Sequence, residues 1–303
     1  GHWFSDIFLE KNGEYLNIMS QNAKRQTKKA PNKNLKLFGA LLGIIVVAVA
    51  TAMLIFNPFK SAPKSNTTAS TSQVTKSSTK NTYQPSKEEK EYLAKRFADL
   101  KAINSEAIAY VYAPGTKLDE PVVQTKDNST YLDKTFEGGN EPYMGTVFMD
   151  TDNKKDFSDR LTWLFGHARG SKVADNRMFN DVNFYDNQEF FDQHKYVVVE
   201  TPERKFYYEA MGLVIVPEET AFYRTSFDGD KDFTDQLKSI YEASRTKNKD
   251  ITVKASDKYL VLSTCREEDE TIRSNLYLRQ IPDSEMSDFL AKHGSELTYT
   301  PTR

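Results

Sequence analysis

The chain has 303 residues, with 41 Lys and Arg against 43 Asp and Glu, which gives a formal net charge of -2 at pH 7. This balance excludes a chain-wide electrostatic partnership with nucleic acid, because phosphate binding needs an excess of basic side chains. The single cysteine excludes an intramolecular disulfide, and four histidines without a C-x-x-C or H-E-x-x-H pattern leave too few ligands for zinc. We therefore expect no nucleic-acid partner, no metal site and no cofactor.

An apolar, uncharged segment over residues 37–56 is long enough to cross a bilayer as a helix, at about 1.5 Å per residue. Basic residues crowd before it, which predicts that residues 1–36 are cytoplasmic and that the chain after the segment is exported. A cleaved signal peptide is the alternative, supported by the small residues Ala50, Thr51 and Ala52, but the run is longer than a usual signal core.

The N-terminal stretch 1–18 does not look like a signal n-region, and Met19 is a more ordinary start. We expect 1–18 to precede the native start. Residues 57–86 are rich in Ser, Thr and Lys, and they bury too little apolar surface to offset their conformational entropy, which predicts a disordered stalk. A folded extracytoplasmic domain over residues 87–303 follows, so the protein is expected to be a single-pass cell-membrane protein.

The start of this domain carries the pattern of a capped helix. Ser86 and Glu89 have the S-x-x-E spacing of a capping box, and Leu93, Phe97 and Leu100 follow at helical spacing. A second helix is predicted where Phe233, Leu237, Ile240 and Tyr241 share one face, with Asp232 as its cap, and a shorter one around residues 183–194.

The sequence pattern over most of the domain predicts short β-strands separated by turn residues. The strand-like runs are AIAYVYAP, PVVQ, GTVFMD, TWLFG, YVVVETP, KFYYEAMGLVIVP, ITVKA, KYLVLST and NLYLRQI. At least seven strands with a few peripheral helices predict an all-β barrel or sandwich. The aspartates at 228, 230 and 232 depart from the EF-hand template at Phe233 and Ser239, so we interpret them as a solvated loop rather than a calcium site.

Cys265 ends the buried-type run KYLVLST and precedes a charged stretch, which predicts a thiol at the mouth of the barrel on a rigid strand end. The alternative interpretation is that Cys265 is a small hydrophobic residue buried in the core. His167 also stands at a strand end, after the run TWLFG, and Gly166 is expected to permit an unusual backbone angle beside it. The other histidines, His2, His194 and His293, read as surface residues. A thiol with an imidazole in reach is the arrangement of a cysteine nucleophile and its base.

An acyl oxyanion also needs a donor, and three arginines follow the cysteine within fourteen residues. Arg266 is adjacent to Cys265, and neighbours on an extended chain point to opposite faces, so its side chain is expected to point away. Arg273 and Arg279 share a face. If their strand pairs with the one that ends at Cys265, Arg273 lies beside the thiol and Arg279 lies about 20 Å further, at roughly 3.3 Å per residue.

The motif LSTC at residues 262–265, an arginine at the head of the next strand, and FGH at residues 165–167 together resemble the sortases, and more closely their class B. The stretches PGTKLDEPVVQTKDNSTYLDKTFEG, GTVFMDTDN, RMFNDV and DNQEFFDQHKYVVVETPERKFYYE extend the resemblance over roughly residues 88–282. It implies a sortase-like closed β-barrel with peripheral helices.

Sortases are membrane-anchored cysteine transpeptidases of Gram-positive bacteria. The resemblance implies that Cys265 cleaves a sorting signal of a surface protein and that an amine, from a cell-wall precursor or a pilin lysine, resolves the acyl-enzyme. It also implies that His167 is the general acid and base, that Arg273 steadies the oxyanion, and that Asn128, Ser263 and Thr264 lie along the peptide groove. Two alternatives stay open: a cysteine hydrolase of peptides, and a non-catalytic surface binding module.

Overall fold

A computed structural model describes residues 82–141, 143–170, 175–218, 222–266 and 268–303. All of them belong to one compact unit, Lys80–Arg303. The helices in these ranges are too short or too polar to cross a membrane. The predicted basic N-terminus, the span over residues 37–56 and nearly all of the stalk lie outside the described residues, so these assignments stay predictions.

Nine strands form one sheet that closes on itself. They are β1 (Ala107–Tyr112), β2 (Asp119–Val123), β3 (Val147–Met149), β4 (Leu161–Phe165), β5 (Tyr196–Glu200), β6 (Lys205–Pro217), β7 (Thr246–Lys247), β8 (Tyr259–Cys265) and β9 (Ile272–Gln280). The order is β5-β1-β2-β3-β4-β8-β9-β6, and β5 pairs with β6 to close an eight-stranded barrel, while β7 adds to the edge of β6. The predicted closed barrel is confirmed.

The barrel wall is buried on both faces, which explains why its strands are apolar almost throughout. Along β8, Leu260 and Leu262 belong to the cluster that fills the barrel, whereas Tyr259 and Val261 belong to a second cluster on the outside. Successive side chains of a strand point to opposite faces, so this division assigns an inner and an outer parity to every residue of β8.

Four helices pack around the barrel: α1 (Lys87–Ile103), α2 (Gln188–Gln193), α3 (Gly229–Ala243) and α4 (Asp283–His293). In α1, the Glu89 amide donates to Ser86 Oγ at 3.1 Å, and Leu93 and Phe97 are buried, as the capping box and spacing predict. In α3, the predicted apolar face covers the outer cluster.

The cap of α3 was predicted wrongly. The N-cap residue is Asp228, and Asp232 lies inside the first turn, where its carboxylate accepts the Asp228 amide at 2.8 Å. The predicted short helix over residues 183–194 is divided into a 3₁₀ helix, Asn180–Asp186, and α2.

Two further assignments are corrected by the structure. The run ITVKA at residues 251–255 is irregular and joins no strand of the sheet; its apolar side chains, Ile251 and Val253, pack on the outer cluster instead. Helix α4 is absent from the predicted elements. Met286, Phe289 and Leu290 give it an apolar side that packs on a third cluster between α1 and the barrel.

Candidate active site

Strands β4 and β8 run parallel and end at the same level, which brings Cys265 and the histidine loop together. Phe165 lies opposite Ser263, and the Gly166 amide donates to the Ser263 carbonyl at 3.2 Å. His167 follows two residues beyond this pairing, and it lies close enough to Arg273, the partner of Cys265 in the sheet, for the guanidinium to lower its pKa. The strand ends therefore bring together two residues that lie almost a hundred positions apart in the chain.

Arg273 lies directly opposite Cys265 in the antiparallel pair of β8 and β9. In the same register Val261 faces Tyr277, and both belong to the outer cluster, so Cys265 and Arg273 share the outer face of the barrel. The site is thus on the barrel wall near its end, rather than in the lumen. The strand register thus agrees with the predicted height of Arg273, and its role in catalysis stays a prediction.

The other two arginines are engaged elsewhere, as predicted. Arg266 forms an ion pair with Asp186 of the 3₁₀ helix at 3.1 Å. Arg279 pairs in register with Tyr259 at the opposite end of β9, where its guanidinium contacts three carboxylates. These belong to Glu209, Asp257 and Glu285. Arg273 is the arginine that the strand register brings to the thiol.

The His167 ring is held by the backbone of a neighbouring loop. Its Nε2 lies 2.6 Å from the Leu132 carbonyl oxygen. Because a carbonyl can only accept, Nε2 carries the proton in the neutral ring, and Nδ1 keeps its lone pair. Burial lowers the pKa of His167, and the Leu132 hydrogen bond opposes this only in part. The imidazole is therefore poised as a neutral base with Nδ1 as its accepting atom.

Gly145 keeps that carbonyl in place. It has a φ of +56°, and a Cβ at this position would lie 2.4 Å from the Leu132 oxygen and 2.3 Å from the Tyr131 oxygen. No side chain fits there without moving the acceptor of His167. A residue outside the motif thus determines where the imidazole is fixed.

Gly166 serves a different purpose from the one predicted. Its backbone is not in the left-handed region; instead, a Cβ would lie 2.9 Å from the Phe179 ring and 3.1 Å from Val147. The Phe179 amide donates to the His167 carbonyl at 2.9 Å. The absence of a side chain therefore lets the segment that holds the histidine backbone pack closely.

The thiol of Cys265 is half-buried and faces charges of both signs. Burial raises its pKa, Arg273 lowers it, and Glu218 and Glu270 raise it again, with burial as the largest effect. At neutral pH the resting pair is therefore a thiol and a neutral imidazole rather than an ion pair. The sulfur becomes a thiolate only when its proton moves to a base.

No family model matches the chain. It is 29% identical to Sortase B of Staphylococcus aureus (strain NCTC 8325 / PS 47) over 177 residues, which are 58% of this chain and 70% of the relative. It is 24% identical to Sortase B of Listeria monocytogenes serovar 1/2a over 181 residues, which are 60% of this chain and 71% of that protein. The chain is a homologue of sortase B.

Solved sortase B structures share its fold. The Staphylococcus aureus sortase B-substrate complex matches with a TM-score of 0.56 and 28% identity, over 62% of this chain and 85% of that one. Sortase B complexed with triglycine gives 0.57 and 28%, over 62% and 86%. The Clostridium perfringens sortase B structure gives 0.56 and 26%, over 61% and 100%. The resemblance to class B sortases is confirmed, and the barrel with its peripheral helices is the sortase fold.

The residues predicted to line a peptide groove lie in different environments. Ser263 and Thr264 are both buried, but Ser263 shares the outer parity of Cys265, whereas Thr264 has the inner parity of Leu262. The Thr264 side chain therefore points into the barrel, away from the thiol. Asn128 is half-buried in the loop that also carries Leu132; its amide donates to Asp150 and accepts from the Thr151 amide. Their part in substrate binding stays a prediction.

Two residues that hold the site were not found from the sequence. Asn183, on the 3₁₀ helix, donates from Nδ2 to the Cys265 carbonyl at 3.0 Å. Glu218, just after β6, forms an ion pair with Arg273 at 2.9 Å. Both contacts join segments that are far apart in the chain, and neither residue belongs to a local motif.

Two histidines read as surface residues are half-buried and engaged away from the thiol. His194 Nδ1 lies 2.8 Å from the Phe190 carbonyl oxygen, and His293 Nε2 lies 3.1 Å from the Tyr196 hydroxyl. His2 lies outside the described residues. The aspartates of the DGDKD segment include Asp230 and Asp232, which pair with arginines 160 and 224. Across the described ranges no three acidic, His or Cys side chains form a group that could hold a metal.

Proposed function

We propose that the chain is a sortase-type cysteine transpeptidase, which cleaves the sorting signal of a surface protein and transfers the product to an amine. The observation that supports this most is the convergence of Cys265, His167 and Arg273 on one outer face, through the registers of two strand pairs. A thiol, a base and a fixed guanidinium on one outer face suit attack on the backbone carbonyl of a peptide.

The proposed chemistry has two halves. In the first, the Cys265 sulfur attacks a backbone carbonyl while its proton passes to Nδ1 of His167, and the Arg273 guanidinium donates hydrogen bonds to the oxyanion. The C–N bond breaks, His167 returns the proton to the leaving amine, and a thioester remains on the enzyme. In the second half, an acceptor amine attacks the thioester, loses a proton to His167 and releases the thiol.

The proposed partners follow from relatives and from the N-terminal sequence. Sortase B structures exist with a substrate and with triglycine, a peptide that has a free amine, which supports a peptide donor and an amine acceptor for this chain. We place the acceptor on a cell-wall precursor or a pilin lysine. Residues 37–56 would anchor the enzyme in the cell membrane, with residues 87–303 on the outer side.

The test uses the full chain in detergent, a fluorescence-quenched pentapeptide library and triglycine as acceptor. We expect cleavage of a restricted peptide set and a mass-identified peptide–triglycine product, neither of which appears with Cys265→Ala. Cleavage that yields only the hydrolysed acid, whatever the triglycine concentration, would make the chain a hydrolase. No cleavage of any peptide, together with a native Cys265 that resists alkylation, would favour the binding module.

A further inference from the structure

Glu218 is fixed beside the arginine of the site by the backbone of two strands. At the end of β6, Val216 lies opposite Arg273 and Pro217 lies opposite Ile272. The Glu218 amide then donates to the Thr271 carbonyl at 2.8 Å. The register of β6 and β9 therefore places this carboxylate at the head of β9, where Arg273 begins to face the thiol.

The carboxylate engages the guanidinium directly. Arg273 Nη2 lies 2.9 Å from Glu218 Oε1, and Arg273 Nη1 donates to the Glu270 carbonyl at 2.6 Å. The side chains of Arg273 and Glu218 are 8% and 20% exposed, so solvent screens this pair less than a surface salt bridge. Two fixed acceptors on different nitrogens determine how the planar guanidinium is turned.

In the described ranges, three charged side chains act on the Cys265 thiol: Glu218 after β6, Glu270 in the loop between β8 and β9, and Arg273 on β9. His167, after β4, lies near the same arginine, whose charge lowers the pKa of the imidazole. The guanidinium lowers the pKa of the thiol, and the two acids raise it, in addition to the effect of burial. The Glu218 carboxylate also forms a direct ion pair with this guanidinium, at 2.9 Å.

We propose that Glu218 is a positioning residue of this site: its carboxylate orients the Arg273 guanidinium beside Cys265 and offsets part of its positive charge. Together with burial, this charge balance keeps the sulfur as a thiol at rest, and the base accepts its proton only during attack. This proposal deepens the proposed transpeptidase function and rests on it for the role of Arg273, but not for the charge balance at the thiol.

Two substitutions of Glu218 distinguish its role in orienting the Arg273 guanidinium from the effect of its charge on the thiol. In Glu218→Gln the side chain keeps an oxygen that can accept from Arg273 but loses its charge; in Glu218→Ala both are lost. The matched control is Glu209→Gln. Glu209 lies on β6 and, like Glu218, pairs with an arginine of β9: its partner is Arg279, at 3.0 Å, at the far end of the strand. Its exposed fraction, 23%, is similar.

The first readout is the pH dependence of Cys265 alkylation by iodoacetamide in the full chain, followed by mass spectrometry. Removing one nearby negative charge should shift the alkylation midpoint of Glu218→Gln down by about 0.5–1 pH unit relative to wild type. Glu209→Gln should coincide with wild type. A Glu218→Gln profile that also coincides with wild type would overturn the charge part of the proposal. Because glutamine is isosteric, this arm does not depend on whether the alanine variant folds.

The second readout is steady-state kinetics on the peptide that the library identifies. Glu218→Ala should lower kcat by about tenfold with KM changed less than about threefold, since a hydrogen bond to a charged group is lost. Glu218→Gln should keep most of the wild-type kcat. Equal kcat values for wild type and Glu218→Ala, in correctly folded protein, would overturn the orienting role. If wild type cleaves no peptide, the proposed function fails, and the alkylation profiles still decide the charge balance.

Discussion

The two arginines at opposite ends of β9 should respond to alanine substitution in opposite ways. Arg273 faces Cys265, and its removal takes away the proposed oxyanion donor. Arg279 faces Tyr259 and binds three carboxylates at the other end of the strand. We expect Arg273→Ala to lose activity with a modest loss of stability, and Arg279→Ala to lose stability with little loss of activity per folded molecule.

The magnitudes follow from what each substitution leaves behind. Loss of an oxyanion donor lowers kcat by a factor of about 10²–10³. Arg273→Ala also leaves Glu218 unpaired, but that carboxylate is 20% exposed, so the cost in unfolding free energy should be only about 1–3 kcal/mol. Arg279→Ala leaves Asp257, which is 5% exposed, without its cation, and here we expect about 3–5 kcal/mol. For a domain of this size that lowers Tm by roughly 10 °C.

The assay must separate the two effects. Thermal unfolding gives the stability of each variant, and kcat is then measured well below the lower Tm, with the concentration of folded enzyme taken from the unfolding curve. Arg273→Lys should restore little activity, because an ammonium lacks the planar fork of donors. The reverse order, with Arg279→Ala crippled and Arg273→Ala near normal in folded protein, would refute the assignment.

Four further predictions concern the nucleophile, the base, the loop that holds it and the domain boundary. Cys265→Ala should abolish cleavage and transfer, and mass spectrometry of the wild-type enzyme with substrate should find a covalent adduct on Cys265; an adduct on another residue would contradict the mechanism. Burial lowers the pKa of His167, so the unfolded chain binds this proton more readily below pH 6.5, and stability should fall with pH in that range. The loss of Tm between pH 7 and pH 5.5 should be smaller in His167→Gln, and an equal loss would refute this contribution. Gly145→Ala should lower kcat by at least about tenfold by displacing the Leu132 carbonyl, while Gly138→Ala, a loop glycine at φ +91° with open space around it, serves as the control for backbone strain alone. A fragment from residue 86 to the end should be soluble and fully active without the apolar segment, and inactivity of the folded fragment beside an active full chain would place the boundary elsewhere.

Local patterns were enough to predict the parts of the fold that depend on local physics. The cap at Ser86 and the apolar face of α3 follow from helical spacing. The position of Arg273 follows from strand parity and rise, since a residue at the head of a returning strand must lie beside the end of the strand before it. The prediction of ITVKA as a strand failed because Ile251 and Val253 are buried by packing on the outer cluster, not by pairing in the sheet, and an apolar run does not encode which of the two will bury it.

The residues that hold the site could not be predicted in the same way. Leu132 acts through its carbonyl, which every residue possesses, so its identity carries no signal. Asn183 and Glu218 reach the site through tertiary contacts, and a polar residue near a strand or helix end is too common to single out. Helix α4 is different: its apolar residues have helical spacing, and its acidic first turn supports the same assignment, so the sequence did contain a signal for it.

The parallel pairing of β4 with β8 has a consequence for how the protein acquires its reactivity. The paired residues Phe165 and Ser263 are separated by roughly 100 residues of chain, and closing a loop of that length carries an entropic cost of about 4 kcal/mol. Pairings between such distant segments form late and slowly during folding. The thiol and the imidazole should therefore stay apart in partly folded chains. Recovery of activity after dilution from denaturant should then follow the slowest global phase rather than the earlier recovery of the helical circular dichroism signal.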